Sequence, residues 1–416
     1  MTWLAVGAAV LGGAGPATVA AGAPAVAAPA ERFGAAERSG AAEPSGAMEP
    51  SGAAEPSAAT EPSGAADTGR PARARTLAFG GTASERTLPR TGTEEFSLIG
   101  VSWADHTRRF DGTAQVRTRS AETGRWSGWR DLDFDIVAPE TDEAAAADTR
   151  GASEPLWTGP SDAVEARVVA DGRQRAVPGG LRLDLIDPGT TTAEATATAP
   201  STATSQGRAE TTAPARPPIV SRAGWGADES LVKDPAEYIP KVEAVFVHHT
   251  AGTNDYTCAD SAAVIRAIFV YHVQSNGWND VGYNFFVDKC GTLFEGRAGG
   301  VDQRIRGAHT YGFNGVSSGV SLLGNYEDGG TPTPAALSAI ADLAAWKLGL
   351  DGVDPQGRVT LTAAGDTGVY EPGEKATLYT VSGHRDGYAT LCPGQTLYDR
   401  LPDIRTQAAA SPYATR

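Results

Sequence analysis

Dense blocks of lysine and arginine are missing from this 416-residue chain, which carries a formal net charge of −15. Binding to nucleic acid requires clustered cations to neutralise phosphates, so we expect no nucleic-acid partner. Beyond its first thirty residues, the chain has no apolar run long enough to cross a bilayer, so we expect no stable membrane insertion. Cysteine and histidine are scarce, at three and six residues. The odd number of cysteines leaves one thiol unpaired.

The N-terminal part of the chain is built from small residues and repeats. Residues 1–30 contain no charged side chain and include a short apolar core, which predicts a secretory signal peptide and therefore an exported protein. A Glu-Pro-Ser motif then recurs every six residues. Regular proline forbids a continuous helix, so residues 31–75 are interpreted as a disordered acidic spacer.

Residues 76–189 change in character, with short alternating apolar runs separated by glycine, aspartate and proline. This pattern predicts a small all-β, sandwich-like accessory domain. Its tryptophans form either a carbohydrate-stacking face or, as we favour, part of the core; they are Trp103, Trp126, Trp129 and Trp157. Residues 190–217 are rich in Thr, Ala, Ser and Pro and indicate a linker.

Residues 218–410 alternate predicted strands and helices. We expect strands at 244–250, 281–288, 292–296 and 319–324, and helices after Asp260, from Pro334 to Gly349 and over 394–408. The predicted fold class is α/β: a domain with a central mixed β-sheet flanked by helices, preceded by the smaller all-β domain and disordered segments.

Two adjacent histidines end the first buried strand of this domain. Strand side chains alternate between faces, so His248 and His249 cannot point to the same place. Far downstream, His384 follows another strand and Cys392 lies eight residues beyond it. The two strand-end histidines and the cysteine match the three protein ligands of a catalytic Zn²⁺ site, which leaves a fourth position for water. The alternative is a strand end with one exposed and one locally bonded histidine.

The pairing of the cysteines decides whether this thiol is available. A Cys258–Cys290 disulfide would close a loop of about 33 residues, contribute roughly 3–4 kcal/mol, and leave Cys392 as the free thiol. The other two pairings stay open at this point.

Five motifs in a fixed order resemble the peptidoglycan recognition protein family, which shares its fold with zinc-dependent N-acetylmuramoyl-L-alanine amidases. The resemblance covers about half of the chain, from Pro218 to Ala408. The motifs are Val-His-His-Thr at 247–250, Gly-Trp-Asn-Asp-Val-Gly-Tyr-Asn-Phe at 277–285, Glu-Gly-Arg at 295–297, Gly-Ala-His-Thr at 307–310, and Gly-His-Arg-Asp at 383–386 with Cys-Pro-Gly at 392–394.

The resemblance implies a role for each matching residue. It implies that His248, His384 and Cys392 hold Zn²⁺, that Tyr283 is catalytic, and that Thr390 assists by hydrogen bonding the oxyanion. Four further residues are substrate-groove candidates, each with a purely structural hydrogen-bonding role as the alternative: His272, Arg297, His309 and Asn314.

The implied activity is hydrolysis of the amide between N-acetylmuramic acid and L-alanine by a secreted, cell-wall-associated, monomeric enzyme. Its partner is peptidoglycan, both glycan strand and stem peptide. One alternative is a non-catalytic peptidoglycan-binding recognition protein of the same fold; another is wall anchoring through the β domain. A zinc protease is disfavoured because the sequence contains no His-Glu-x-x-His motif.

Overall fold

The computed structural model describes residues 69–134, 139–140, 148–171, 176–191, 216–327 and 329–414. The chain divides into two units, Met1–Ser63 and Gly64–Arg416, and every described residue belongs to the second unit. The predicted signal peptide, most of the predicted spacer and most of the predicted linker lie outside the described residues. None of the described helices combines the length and the apolar character needed to span a membrane.

The accessory domain is built on one antiparallel sheet. The strands are β1 (Arg73–Ala78), β2 (Gly80–Gly81), β3 (Glu85–Trp103), β4 (Gly112–Ser120), β5 (Arg130–Leu132), β6 (Gly151–Ala152), β7 (Leu156–Ala170) and β8 (Arg182–Asp187). Their order is β1-β8-β3-β7-β4-β5, with the short strands β2 and β6 added to β3. The two long strands, β3 and β7, pair through several register shifts that bend the sheet around its apolar face.

The four tryptophans of this domain do not form one common face. Trp103 and Trp157 are buried in two different apolar clusters. Trp126 and Trp129 are half-buried and lie under arginine side chains instead. The interpretation of Trp103 and Trp157 as core residues therefore agrees with the structure.

The second domain contains a six-stranded mixed sheet and a separate two-stranded hairpin. The strands are β9 (Ile219–Val220), β10 (Ala244–His249), β11 (Phe285–Val287), β12 (Leu293–Glu295), β13 (Ser317–Leu322), β14 (Arg358–Thr362), β15 (Lys375–Tyr379) and β16 (Val381–Gly383). The mixed sheet has the order β16-β10-β13-β11-β12-β9, and β14 and β15 form the hairpin. Within the mixed sheet, only β11 and β12 pair antiparallel.

Helices cover both faces of this mixed sheet, which confirms the predicted fold class. The helices are α1 (Arg222–Trp225), α2 (Ser261–Val270), α3 (Pro334–Gly349), α4 (His384–Gly387), α5 (Gln395–Tyr398) and α6 (Leu401–Ala410). Helix α3 packs on one face in the largest apolar cluster of the described residues, and α2 packs on the other. Helix α2 continues into a π-helical turn, Tyr271–Ser275.

Two predicted elements were wrong in extent. The strand expected over 281–288 is paired only at Phe285–Val287. Before it, the Gly282 backbone donates to His272, and the Asn284 side chain donates to the Ile305 carbonyl and accepts from the Gly319 backbone of β13. The helix expected over 394–408 is two helices, α5 and α6. Pro402 lies at the start of α6, where proline fits the first turn but cannot continue a preceding helix.

The two domains share a buried interface around Tyr271. Its hydroxyl lies 3.2 Å from the carbonyl oxygen of Val101 and 3.1 Å from that of Ser153, both in the accessory domain. A Cβ atom at Gly100 would lie 2.3 Å from this hydroxyl, so only glycine leaves room for it. Leu98 and Ile186 of the sheet belong to the same apolar cluster as α2. The accessory domain is therefore held firmly against the α/β domain.

Cys258 and Cys290 form a disulfide, and Cys392 is a buried free thiol. We expect the Cys258→Ser/Cys290→Ser double variant to lose about 3–4 kcal/mol of unfolding free energy, because the reduced loop regains conformational entropy when the chain unfolds. Urea unfolding monitored by circular dichroism measures this loss. An unchanged midpoint would show that the bridge contributes nothing to stability.

Candidate metal centre

The strand register brings His248 and His384 side by side. Strands β10 and β16 run parallel, and Val247 pairs with Gly383. The residue that follows each of these two is a histidine at the carboxyl edge of the sheet, and the two rings lie with centroids 4.4 Å apart. Asp386 accepts hydrogen bonds from the Gly383 backbone and from the Tyr398 hydroxyl. These bonds fix the first turn of α4, which begins with His384.

A loop returns Cys392 to the same place. Its carbonyl oxygen accepts a hydrogen bond from the Arg385 backbone, and its sulfur lies 3.7 Å from Nδ1 of His248. One ligand atom from each of His248, His384 and Cys392 lies within 4.8 Å of the other two. Three side chains spread over 145 residues of sequence therefore converge on one point.

The chemistry of this cluster fits a zinc ion. With zinc–sulfur and zinc–nitrogen bonds of about 2.3 and 2.0 Å in a tetrahedral arrangement, sulfur and nitrogen lie roughly 3.5 Å apart. The observed sulfur–nitrogen separation of 3.7 Å is close to that value. Burial lowers the pKa of His248 well below its usual range and that of His384 to about 3, so both imidazoles are neutral at neutral pH. Neutral imidazole is the form that binds metal.

The second ring nitrogen of His248 is held by hydrogen-bonding groups. Nε2 lies 3.2 Å from Nδ1 of His309 and 3.3 Å from the hydroxyl of Thr310. Partners of this kind fix the tautomer and ring orientation of a metal-binding histidine. With Nε2 of His248 as the donor, Nδ1 of His309 accepts and Nε2 of His309 carries the proton. Thr310 was not singled out from the sequence, although it lies in the Gly-Ala-His-Thr motif.

His249 lies on the opposite face of β10, as the alternation of strand side chains predicts. Its Nδ1 accepts a hydrogen bond from the Tyr326 backbone at 3.1 Å. It is buried but does not belong to the converging group. Strand alternation predicted that only one of the two histidines joins the group, and the family resemblance predicted that it is His248.

Tyr283 packs directly against the cluster. Its ring centroid lies 5.3 Å from that of His248 and 5.5 Å from that of Phe286. Burial raises the pKa of the Tyr283 phenol well above its usual value, with a further contribution from the charge of Glu154. The phenol therefore stays protonated and can donate a hydrogen bond.

Two of the substrate-groove candidates present buried nitrogens without a protein partner. Nδ1 of His272 accepts a hydrogen bond from Gly282, so its Nε2 carries the proton. Among the described residues, neither this Nε2 nor that of His309 finds a hydrogen-bond partner. Burial lowers the pKa of each to about 3, which keeps both rings neutral. They are suited to bind acceptor atoms of a ligand.

The remaining candidates lie in different surroundings. The side-chain oxygen of Asn314 accepts from the backbones of His309 and Thr310, at 2.8 and 2.9 Å, so it positions that loop. Arg297 is half-buried at a second cavity, lined also by Asp280 and Arg306. The Thr390 hydroxyl accepts from the Cys392 backbone at 2.9 Å and orients the cysteine loop. The catalytic and substrate-binding roles of these residues stay predictions.

The fold and the converging group define a class of protein: residues 239–395 match the family described as N-acetylmuramoyl-L-alanine amidase. Residues 49–213 match the description Rv3811 N-terminal galactose-binding domain-like.

Individual relatives carry the name of one family. Peptidoglycan-recognition protein SC2 of Drosophila simulans is 32% identical over 184 residues, which cover 44% of this chain and 84% of that protein. Human peptidoglycan recognition protein 3 is 32% identical over 186 residues, which cover 44% of this chain but only 45% of the human protein. The solved structure of peptidoglycan recognition protein-LE in complex with tracheal cytotoxin is 27% identical and covers 47% of this chain and 95% of that chain, with a TM-score of 0.35. The chain belongs to the peptidoglycan recognition protein family.

Proposed function

We propose that the protein is a secreted zinc-dependent N-acetylmuramoyl-L-alanine amidase that cuts the amide between N-acetylmuramic acid and L-alanine in peptidoglycan. The observation that carries the proposal is the convergence of His248, His384 and Cys392 in a chain of this family. The charge-free segment at residues 1–30 supports export of the protein. The proposed enzyme acts as a monomer on the cell wall.

The three converging residues would hold zinc as two neutral imidazoles and one thiolate. When bound, zinc supplies Lewis-acid polarisation of the scissile carbonyl and activates water for attack. His309 and Thr310 keep the His248 ring in the tautomer that leaves Nδ1, the nitrogen nearer Cys392, for the metal. Because His248 and His384 are buried, their imidazoles are already neutral at neutral pH and need not lose a proton to bind metal.

One hydrogen-bond donor of the chain lies beside the metal cluster, where negative charge would develop on the carbonyl oxygen. The Tyr283 phenol is protonated and packs against His248. His309 instead contacts Nε2 of His248, the ring nitrogen away from Cys392, and so supports that ring. Preorganised donors in a buried site stabilise a developing oxyanion without reorganising at the moment of reaction.

Digestion of purified peptidoglycan sacculi tests the proposal. We expect the full chain, purified with about one zinc per molecule, to release stem peptides with a new L-alanine amino terminus, detected by mass spectrometry. Removal of the metal with a chelator should stop the release, and added zinc should restore it. A zinc-replete protein that binds sacculi but releases no peptide would instead establish the non-catalytic recognition function.

A further inference from the structure

A cavity of about 650 Å³ lies between the accessory domain and the α/β domain. Its volume is within the range of small-molecule sites. The accessory domain contributes arginine and aromatic side chains, and the α/β domain contributes Trp278, Tyr311 and Tyr388. The interface around Tyr271 holds the two walls in position. Neither domain alone forms this cavity.

The cavity borders the candidate metal centre through one side chain. The Tyr388 ring stacks on the His384 imidazole, with centroids 5.4 Å apart and planes inclined by 22°. On the accessory-domain side, the Arg109 guanidinium lies over the Tyr388 ring, 5.2 Å from its centroid, and contacts its hydroxyl. The space beside Arg109 is therefore one side chain away from the metal cluster.

The charges around the cavity favour an anion. Three arginines of the accessory domain line it, although the chain as a whole is acidic: Arg108, Arg109 and Arg150. Two carboxylates also line it. Glu140 is paired with Arg306 at 3.5 Å, and Asp366 lies on an exposed loop where it bonds to the Gly368 backbone. Among the described lining residues, arginines therefore outnumber carboxylates by three to two.

A buried donor points to the same conclusion. Trp278 lines the cavity and is 2% exposed, and its indole N–H finds no hydrogen-bond partner among the described residues. Buried donors of folded proteins are normally paired, so this N–H indicates a missing acceptor. Indole nitrogen and guanidinium groups are all donors, which selects a ligand rich in acceptor oxygens.

We propose that this interdomain cavity is a subsite for the stem peptide of peptidoglycan, with Arg109 of the accessory domain recognising one of its carboxylates. The inference rests on the proposed function. Free carboxylates occur on the stem peptide, whereas the glycan strand next to the scissile bond presents hydroxyl and acetamido groups. Guanidinium groups bind carboxylates through paired, charge-assisted hydrogen bonds.

The test compares a soluble disaccharide-tetrapeptide with its counterpart whose peptide carboxylates are converted to carboxamides. For the full chain, KM is taken from initial rates, and Kd from calorimetry after chelator treatment, which prevents turnover. We expect Arg109→Gln to raise both constants about tenfold for the carboxylate ligand, as expected for loss of a charge-assisted bond, and to leave the carboxamide ligand unchanged. Arg109→Lys should recover part of the loss.

Arg125→Gln is the matched control, because Arg125 is an exposed accessory-domain residue that does not line the cavity. Equal weakening of both ligands by Arg109→Gln, or no weakening, would overturn the inference. The calorimetric titration tests the subsite even if the wild-type protein hydrolyses neither ligand. Hydrolysis without any Arg109 effect would leave the proposed function intact and reject only the subsite.

Discussion

The Cys392→Ser variant is expected to lose bound zinc and amidase activity together. Cys392 would supply the only anionic ligand of the group, and its sulfur lies 3.7 Å from Nδ1 of His248. A serine hydroxyl is not deprotonated at neutral pH and leaves two neutral imidazoles. Loss of even an indirect partner of a metal ligand typically costs 10–100-fold in affinity or activity, so we expect a loss of more than about 100-fold here.

Two measurements check this expectation: zinc content by elemental mass spectrometry, and stem-peptide release from sacculi. The circular dichroism spectrum should remain that of the wild type, which separates loss of metal from loss of fold. Retention of zinc and of activity by Cys392→Ser would contradict both the metal centre and the proposed amidase.

The adjacent histidines provide an internal control for the same experiment. His249 uses its Nδ1 to accept a hydrogen bond from the Tyr326 backbone, and an asparagine side-chain oxygen can occupy a similar place. We therefore expect His249→Asn to keep zinc, whereas His248→Asn should lose it. The reverse result would show that the register assigned to strand β10 gives the wrong ligand.

Sequence patterns predicted the parts of the site that depend on local geometry. The alternation of side chains in β10 separates His248 from His249, and the motifs identify Tyr283 and Cys392. What brings these residues together is the parallel register between β10 and β16, in which Val247 pairs with Gly383. That pairing joins segments that are far apart in the chain, so no local sequence pattern predicts it.

The contact between the two domains was not predictable for the same reason. Gly100 and Tyr271 lie far apart in sequence, and each is unremarkable alone. Their fit appears only when the sheet meets α2, where a Cβ on Gly100 would lie 2.3 Å from the Tyr271 hydroxyl. Arg109 likewise has the sequence context of a surface residue, and only the fold places its guanidinium over the Tyr388 ring. Only long-range packing therefore brings the accessory domain beside the site.

Tyr283→Phe is expected to reduce kcat by about 10²–10³-fold while leaving zinc content unchanged. The phenol packs against His248 and stays protonated because burial raises its pKa. Removing the hydroxyl takes away one preorganised donor but keeps the ring that fills the space beside the cluster. Since this donor acts on charge that develops during the reaction, KM should change little.

Tyr256→Phe is the matched control for this substitution. Tyr256 is also buried in the α/β domain, but its hydroxyl accepts a hydrogen bond from the Lys289 backbone at 2.9 Å. Its loss should lower the unfolding free energy by about 1 kcal/mol and leave kcat near the wild-type value. If Tyr283→Phe also kept kcat within about twofold of wild type, the phenol would be a packing residue. The metal would then have to stabilise the charge on the carbonyl oxygen without it.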